Sequence, residues 1–246
     1  MSMPTSEGWS RRTVALAGAA VLLTPQEAQA ATRRVQFWAT HSGGETLDAA
    51  DGTGNPYATL LIYMMAVSTH ALPRFADDLR DRTAELTAGA MTPETAPARF
   101  DTPWSLNPTP RGEKRVALVL TFSDYSASDD APSLPGAAQD SVRVARAFEN
   151  ADFAVTRAHD PTRAQLPDIL AAFARASARA HVAAIYSTGH GVEVDGVQYV
   201  LHRDHRIGDG VAGLTRAARW HDIACSARGK RLNLTFWAGC RNNPFA

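Results

Sequence analysis

The stretch that decides the fold is Leu232-Asn-Leu-Thr-Phe-Trp-Ala-Gly-Cys240-Arg-Asn-Asn-Pro-Phe-Ala246. It opens with apolar, β-branched and aromatic residues, which are typical of a buried strand, and then reaches a glycine and Cys240. A second stretch has the same form, Val182-Ala-Ala-Ile-Tyr-Ser-Thr-Gly-His190-Gly191. In an open parallel sheet, the carboxyl ends of neighbouring strands share one crevice. The sequence therefore predicts that Cys240 and His190 lie at one sheet edge, where a thiol beside an imidazole is the minimum apparatus for acyl transfer.

Strand and helix patterns alternate through the second half of the chain. Strands are predicted at 116–121 and 153–157 besides the two quoted runs, helices at 136–150, 162–179 and 215–230, and a hairpin at 192–200. Alternation at this spacing predicts a mostly parallel sheet covered by helices on both faces.

The first half of the chain is predicted to add a strand and two helices. The strand covers residues 34–40, and a helix buried on all sides covers 57–66, with Asn55 as its N-cap and Pro56 at its first position. The second helix starts near Pro73, and its inward positions are Leu72, Phe75, Leu79 and Leu86. Residues 89–113 are rich in Pro and Thr and predict a loop, with a candidate short strand at 104–106.

The composition limits the classes of protein to which this chain can belong. A chain of 246 residues with 45% hydrophobic residues suits a single α/β domain. Lys+Arg and Asp+Glu number 25 each, so no net field favours nucleic acid or an anionic membrane, and we expect neither as a partner.

Residues 1–30 are predicted to be an export signal. Arg11 and Arg12 precede an apolar run over 14–23, and Ala28-Gln-Ala30 offers a small-residue cleavage site. The pair of arginines is also typical of twin-arginine signals, so the expected location is periplasmic or secreted. The apolar run is too short to span a bilayer, and no membrane span is expected after it. The alternative is an ordinary disordered N-terminus that happens to contain two arginines.

The Cys and His stretches resemble the caspase-like cysteine peptidases, and most of all the bacterial caspase-domain proteins related to metacaspases. The resemblance rests on a strand ending in His-Gly, a strand ending in Cys, their separation of 50 residues, and the motif Cys240-Arg-Asn-Asn-Pro-Phe245. Val116 to Tyr125, Leu134 to Asp140 and the strand at Phe153 are similar to the opening of the family domain. The pentapeptide Gln-Ala-Cys-[Arg/Gln/Gly]-Gly is not matched, because residues 238–242 are Ala-Gly-Cys-Arg-Asn.

The resemblance implies a circular permutation. The family fold has two further strands after the cysteine, and residues 35–61 are similar to the segment that normally follows it. We therefore expect one caspase-like domain over 31–246, in which 31–110 is the permuted C-terminal part and 111–246 carries His and Cys. Residues 35–40 should then lie parallel to 232–237. The alternative is that 31–110 is an unrelated helical appendage.

The resemblance also implies the roles of the site residues. Cys240 is the expected nucleophile and His190 its acid–base partner, while the backbone N–H groups of Gly191 and Cys240 are expected to bind the oxyanion. Caspases that cleave after Asp use arginines in the primary pocket. Here Asp140 and Asp48 are the expected pocket residues, which favours a Lys or Arg side chain in a peptide or protein substrate.

One departure from the family pattern concerns the pocket. The family has a second pocket Asp two residues before the cysteine, where this chain has Ala238. The departure leaves open a catalytically inactive binding module. A half of an oligomeric peptidase, completed by another polypeptide, is a second alternative, and sequence does not fix the oligomeric state. Asp140 could also be a solvated residue in the first turn of a helix.

The remaining candidates have structural interpretations. Cys225 is expected to be a buried small hydrophobe, the alternative being a disulfide to Cys240. His202-Arg-Asp-His205 has no clear third metal ligand, so neither metal nor cofactor is expected. Asp129-Asp130 raises a possible calcium dependence, which the sequence does not support further.

Overall fold

The computed structural model describes residues 34–48, 54–128, 131–203 and 205–246. The export signal expected in residues 1–30 and the acidic pair Asp129-Asp130 lie outside the described residues. Within the described part of the chain, no helix combines the length and the apolarity that crossing a bilayer requires.

A six-stranded sheet forms the centre of the molecule. Its strands, in chain order, are β1 (Arg34–Trp38), β2 (Glu94–Ala96), β3 (Arg115–Thr121), β4 (Phe153–His159), β5 (Val182–Thr188) and β9 (Leu232–Ala238). Their spatial order is β2-β1-β9-β5-β3-β4, and every neighbouring pair is parallel except β1 with β2. Every residue of β5 and β9 is buried, as strands covered on both faces require. The mostly parallel sheet predicted from the alternating pattern is confirmed.

Helices cover both faces of this sheet. They are α1 (Pro56–Val67), α2 (Leu72–Leu86), α3 (Pro135–Asn150), α4 (Leu166–Ser177), α5 (Gly210–Gly213) and α6 (Trp220–Ala224). Residues of α1, α2 and α3 pack in one hydrophobic core with Phe236, while residues of α4 and α6 pack in a second core with Trp237. Consecutive side chains of β9 thus enter opposite cores, which confirms the three-layer α/β/α architecture.

A small antiparallel sheet extends from the end of β5. It comprises β6 (Gly191–Val194), β7 (Val197–Val200) and β8 (Ala218–Arg219). The predicted hairpin is confirmed, because Asp195 and Gly196 join β6 to β7 with φ angles of 51° and 74°. A two-residue turn with both φ angles positive matches the twist of the flanking strands. His190 therefore sits between the central sheet and this hairpin.

The N-terminal and C-terminal strands of the described chain are neighbours. Residues of β1 pair in parallel with β9, from Arg34 opposite Asn233 to Trp38 opposite Trp237. The Phe37 and Phe236 rings stack with their centroids 4.7 Å apart. The predicted pairing is thus confirmed, and Ala39 N–H extends it by donating to the Trp237 carbonyl at 2.9 Å. The described part of residues 34–110 thus contributes two strands, β1 and β2, to the central sheet.

Two predictions about local structure were wrong. Residues 215–230 do not form one helix, because the chain becomes extended at Ala217 and pairs as β8 with β7 before the five-residue α6 begins. Residues 89–113 are not all loop, since β2 lies within them, whereas residues 104–106 contribute only an isolated bridge between Ser105 and Ala71. In both places, pairing with a neighbouring strand overrides the local pattern.

The N-terminal helices are less buried than predicted. The N-cap of α1 is confirmed, since Asn55 Oδ1 accepts from Tyr57 N–H at 2.8 Å. However, Tyr63 is 52% exposed and Val67 56% exposed, so α1 has a solvent face. In α2, Leu86 is exposed, and Thr83 instead occupies the buried position one turn after Leu79. Its hydroxyl donates to the Leu79 carbonyl, which explains how a polar residue is accommodated there.

Candidate active site

Cys240 and His190 lie just beyond the ends of two adjacent strands. Thr188 of β5 is paired with Ala238 of β9, and each candidate follows its strand by two residues. The Thr188 hydroxyl donates to the Ala238 carbonyl at 3.0 Å, which ties the two strand ends together. A side chain at Gly239 would collide with the Gly189 carbonyl and the Trp237 ring. Glycine is therefore required for the close approach of the two turns that carry the thiol and the imidazole.

His190 is held by two contacts. Its Nε2 lies 2.8 Å from the carbonyl oxygen of Pro132, and its backbone N–H donates to Tyr125 Oη at 2.9 Å. Tyr125 is itself fixed, because its hydroxyl donates to the Leu201 carbonyl and its ring packs 4.5 Å from the imidazole. A carbonyl can only accept, so the bond to Pro132 places the proton on Nε2 and leaves Nδ1 as the free lone pair of the neutral ring.

Burial lowers the pKa of His190, and this effect is partly opposed by the bond to the Pro132 carbonyl and by the nearby charge of Asp48. The neutral imidazole therefore predominates at neutral pH. A neutral imidazole with an unprotonated Nδ1 can accept a proton from a thiol.

Cys240 is a free, half-buried thiol in contact with a residue that the sequence did not single out. Thr46 N–H points at Cys240 Sγ with a nitrogen–sulfur distance of 3.4 Å, and Thr46 Oγ1 lies 3.5 Å from the same sulfur. A backbone N–H directed at the sulfur stabilises the thiolate more than the thiol. The only sequence signal for Thr46 was its place in residues 35–61, which are similar to the family segment that normally follows the cysteine.

Arg241 links the nucleophile turn to three other parts of the chain. Its Nε donates to Glu193 of β6 and its Nη1 to Glu94 of β2, both at 2.7 Å. Nη1 also donates to the Thr40 carbonyl at 3.2 Å, and the guanidinium lies 4.8 Å from the centre of the Trp38 ring. Only 8% of Arg241 is exposed. Its charge is thus satisfied inside the protein by carboxylates that converge from two different sheets.

Backbone hydrogen bonds hold residues 41–46 against the nucleophile turn. Gly43 N–H donates to the Arg241 carbonyl at 3.1 Å, and Arg241 N–H donates to the Gly44 carbonyl at 2.8 Å. Asn242 Nδ2 also donates to Glu45 Oε1 at 2.8 Å. These bonds position Thr46 against the Cys240 sulfur, so the segment that follows β1 forms one side of the candidate active site.

Asp140 is buried on α3, and its carboxylate accepts from Asn55 N–H at 2.7 Å and from Arg143 Nη1 at 3.1 Å. Burial raises the pKa of Asp140 to about 6, with a smaller rise from the charge of Asp48, against the lowering effects of Asn55 and Arg143. The alternative of a solvated first-turn residue is wrong, because the side chain has no exposed surface and lies beyond the first turn of a helix that begins at Pro135.

The Asp48 carboxylate interacts electrostatically with both His190 and Asp140. Burial raises the pKa of Asp48, while the His190 charge and the Gly136 N–H lower it. Gly136 is at the start of α3, and a side chain there would collide with the Asp48 carboxylate. The structure thus brings Asp48, Asp140 and His190 into one electrostatically coupled group.

Cys225 lies apart from this group and forms no disulfide. Its sulfur accepts from Arg34 Nη1 at 3.1 Å and lies 3.4 Å from His221 Nε2. Both the predicted buried hydrophobe and the alternative bridge to Cys240 are therefore wrong, since the thiol is partly exposed among polar groups. No cluster of three or more potential metal ligands occurs in the ranges that the structure describes, which include His202 and His205 but not Asp204.

Part of the chain matches a known protein family. Residues 114–228 match the family model described as the caspase domain. The matched region contains His190, Asp140 and Pro132, and it ends before β9 and Cys240. No curated protein matches the chain.

Proposed function

Because this chain carries a caspase domain and belongs to the caspase-like cysteine peptidases, we propose that it is an endopeptidase in which Cys240 is the nucleophile and His190 the acid–base partner. The observation that carries the proposal is the pairing of β5 with β9, which brings the two residues to adjacent strand ends. The family itself implies peptide-bond hydrolysis in general, while the roles of the residues and the specificity are proposals that rest on the motif resemblance together with the geometry.

The proposed reaction begins with proton transfer from Cys240 Sγ to Nδ1 of His190. The thiolate attacks the substrate carbonyl carbon, and the backbone N–H groups of Gly191 and Cys240 stabilise the oxyanion that forms. His190 then gives the proton to the leaving amine as the C–N bond breaks, which leaves a thioester on Cys240. Water, deprotonated by His190, attacks the thioester, and collapse of the second oxyanion releases the acid product and the thiol.

Support for this sequence comes from the contacts of both residues. The Pro132 carbonyl fixes the tautomer of His190 that leaves Nδ1 free. Thr46 N–H stabilises the thiolate before attack. A side chain at Gly191 would meet the Trp237 ring 2.5 Å away and the Cys240 carbonyl 3.1 Å away, so only glycine lets this backbone pack closely against the turn that carries the sulfur.

We further propose that the substrate residue before the scissile bond is Arg or Lys. Asp48 is half-buried at the edge of the site and supplies the direct partner of the basic side chain. Asp140 lies deeper and is already paired with Arg143, so its contribution is to the potential of the pocket rather than to direct contact. A cation bound near both carboxylates would favour the ionised form of each and offset its desolvation.

We also propose that the domain is circularly permuted. Support comes from the position of β1, which lies beside the cysteine strand in space but precedes the matched caspase region in sequence. Because one chain supplies all six strands, no strand from another polypeptide is needed, which argues against the half-enzyme alternative. A variant that joins residue 246 to residue 31 by a flexible linker and opens the chain between 110 and 111 should keep its fold and activity. Loss of both, while the uncut linker control folds, would contradict the permutation.

Single replacements test the dyad. Cys240→Ala and His190→Ala should each remove nearly all turnover of a peptide substrate, and the double variant should be little worse than either, because the two act as a unit. Cys225→Ala is the matched control and should keep full activity. Unchanged turnover in Cys240→Ala would refute the mechanism, whereas folded wild-type protein that neither cleaves peptides nor reacts with a peptidyl chloromethyl ketone would be the inactive binding module.

The pH profile gives a separate test. Since burial lowers the pKa of His190, the acid limb of kcat/KM in the free enzyme should fall below the ordinary histidine value of 6.5. Steady-state cleavage between pH 4 and pH 8 measures it. An acid limb above that value would mean that the imidazole is stabilised in its charged form.

Substrate choice is tested with reporter peptides that differ only before the scissile bond. Peptides with Arg or Lys should be cleaved and those with Asp should not. Asp48→Asn should lower kcat/KM for basic peptides by about 10-fold or more, the value of one charge-assisted contact. A wild-type preference for Asp peptides would overturn the assignment of the pocket.

Residues 1–30 are proposed to direct export. A reporter enzyme fused after residue 30 should reach the periplasm, and Lys replacement of Arg11 and Arg12 should retain it in the cytoplasm if the signal is of the twin-arginine type.

A further inference from the structure

A basic cavity lies between the start of α4 and the segment that follows β7. Its volume is about 410 Å³. The residues that line it are Arg163, His202, His205, Arg206, Asp209 and Arg216. Three separate parts of the chain thus bring guanidinium groups to one concavity, and none of these residues belongs to the site around Cys240.

The described residues of the lining carry a net positive charge. Among them, three guanidinium groups face one carboxylate, that of Asp209, which is paired with Arg216. Arg216 has five N–H donors, so this pair leaves donors for a ligand. Within the described part of the chain, Arg163 and Arg206 form no ion pair, and both are exposed. Such a set of forked donors fits the oxygens of a phosphate group.

The floor of the cavity is held in place by packing. His202 and His205 are 3% and 4% exposed. The His202 ring packs edge-on against Phe122 with the centroids 5.3 Å apart. His205 N–H donates to the His202 carbonyl at 2.9 Å, and the Ser128 hydroxyl donates to the His205 carbonyl at 2.9 Å. Because this floor is already fixed, only the exposed arginine side chains above it have to be ordered when a ligand binds.

A larger apolar groove adjoins the basic cavity. Its volume is about 750 Å³, and it shares Arg163, His202 and Arg216 with the cavity. Apolar side chains of its lining include Leu170, Val194, Val211 and Leu214, and Asp195 and Asp222 are the carboxylates that line it. A ligand that reaches from the cavity into the groove would therefore need an anionic head and an apolar body.

We propose that the cavity and the groove together bind an amphipathic phosphate monoester, with the phosphate between Arg163, Arg206 and Arg216 and the apolar chain along the groove. The size of the cavity exceeds that of a bare phosphate, and the three shared residues place the two spaces side by side. This binding does not depend on the peptidase activity.

The probe for the test is hexyl phosphate, with inorganic phosphate and hexanol as partial ligands. Isothermal titration of the full chain at low salt should give tighter binding of hexyl phosphate than of either partial ligand, and the affinity should fall as salt is added. Equal affinity for inorganic phosphate and hexyl phosphate would remove the groove from the proposal. If hexyl phosphate gives no heat of binding and does not raise the melting temperature, the whole proposal is overturned.

Three variants test the location of the site, and one of them is a matched control. Arg163→Gln combined with Arg206→Gln should weaken hexyl phosphate binding at least about 10-fold. Arg175→Gln with Arg179→Gln makes the same change of charge at the other end of α4, outside the cavity, and should leave the affinity unchanged. Because all four arginines are exposed, both variants should fold. Val211→Ser should weaken hexyl phosphate several-fold and leave inorganic phosphate unaffected. Equal losses in the two arginine variants would mean that net charge alone attracts the ligand, which would refute a site.

A lipid source and a free source of the phosphate are separated by adding vesicles that contain phosphatidic acid. Competition by the vesicles with hexyl phosphate would assign the ligand to a membrane lipid. Binding of hexyl phosphate without such competition would assign it to a free phosphate ester.

Discussion

Replacing Asp140 with Asn should change the way in which the stability of the protein depends on pH. The carboxylate is buried, and its pKa is raised from 3.8 to about 6, chiefly by desolvation. The folded state therefore holds the proton more tightly than the unfolded state does. As the pH rises from about 4 to 6, the folded protein must ionise a group that resists ionisation, and stability falls.

The magnitude follows from the size of this shift. A pKa raised by about two pH units makes the ionised form cost about 3 kcal/mol of unfolding free energy at neutral pH relative to acid. The Asn side chain cannot ionise, so the variant lacks this loss. Relative to the wild type, Asp140→Asn should thus gain about 2 kcal/mol of unfolding free energy between pH 4 and pH 7, whatever its absolute stability, because part of the change falls below pH 4.

Urea unfolding at several pH values measures this difference. Asp101→Asn removes an exposed carboxylate in a loop and provides the control, which should give a nearly constant difference from the wild type. If Asp140→Asn instead loses stability relative to the wild type as the pH rises, the bonds from Asn55 and Arg143 outweigh desolvation. The reasoning about the buried carboxylate would then be wrong.

Three further changes probe the surroundings of the sulfur. Arg241→Met should lower the unfolding free energy by about 2 kcal/mol, because it removes charged hydrogen bonds to Glu193 and leaves that carboxylate, 10% exposed, with Ser42 as its partner. Chemical unfolding measures this loss, and a value below about 1 kcal/mol would contradict a stabilising role of Arg241. Thr46→Val keeps the N–H donor and should change the alkylation rate of Cys240 by iodoacetamide less than about threefold, because the 3.5 Å contact of the hydroxyl with sulfur belongs at the weak end of neutral hydrogen bonds, about 0.5 kcal/mol. A tenfold change would assign the effect to the hydroxyl. Gly239→Ala would press a methyl group against backbone and ring atoms, and its melting temperature should fall by more than 5 °C, or about 2 kcal/mol; an unchanged melting temperature would show that the turn has room.

The strands around the site could be predicted from the sequence, because their signal is local. The runs ending in His190 and Cys240 are apolar on both faces, and strands with that pattern lie in the middle of a parallel sheet. The pairing of β1 with β9 followed only from the family resemblance. No local pattern in residues 34–40 indicates which strand lies beside them.

The contacts that hold the two candidate residues could not be predicted. The Pro132 carbonyl and the Thr46 N–H are backbone groups. Because nearly every residue type carries these groups, the identity of a residue does not indicate such a contact. Arg241 was visible as part of a motif, yet its partners Glu94 and Glu193 come from distant strands. The failed helix at 215–230 has the same origin, since pairing with β7 decides its conformation.

The neighbouring positions of β1 and β9 have a consequence for the order of folding. Arg115 and Phe153, paired between β3 and β4, are 38 residues apart, whereas Arg34 and Asn233 are 199 apart. Closing the longer loop costs about 1.5 kcal/mol more in chain entropy, so we expect β3, β4 and β5 to form first and β1 to dock last. Thr46 and Asp48 follow β1 in the chain, which means that the candidate active site around Cys240 becomes complete only at the final step of folding. Peptidase activity should therefore return later in refolding than the ellipticity of the helices and sheet, and simultaneous recovery would contradict this order.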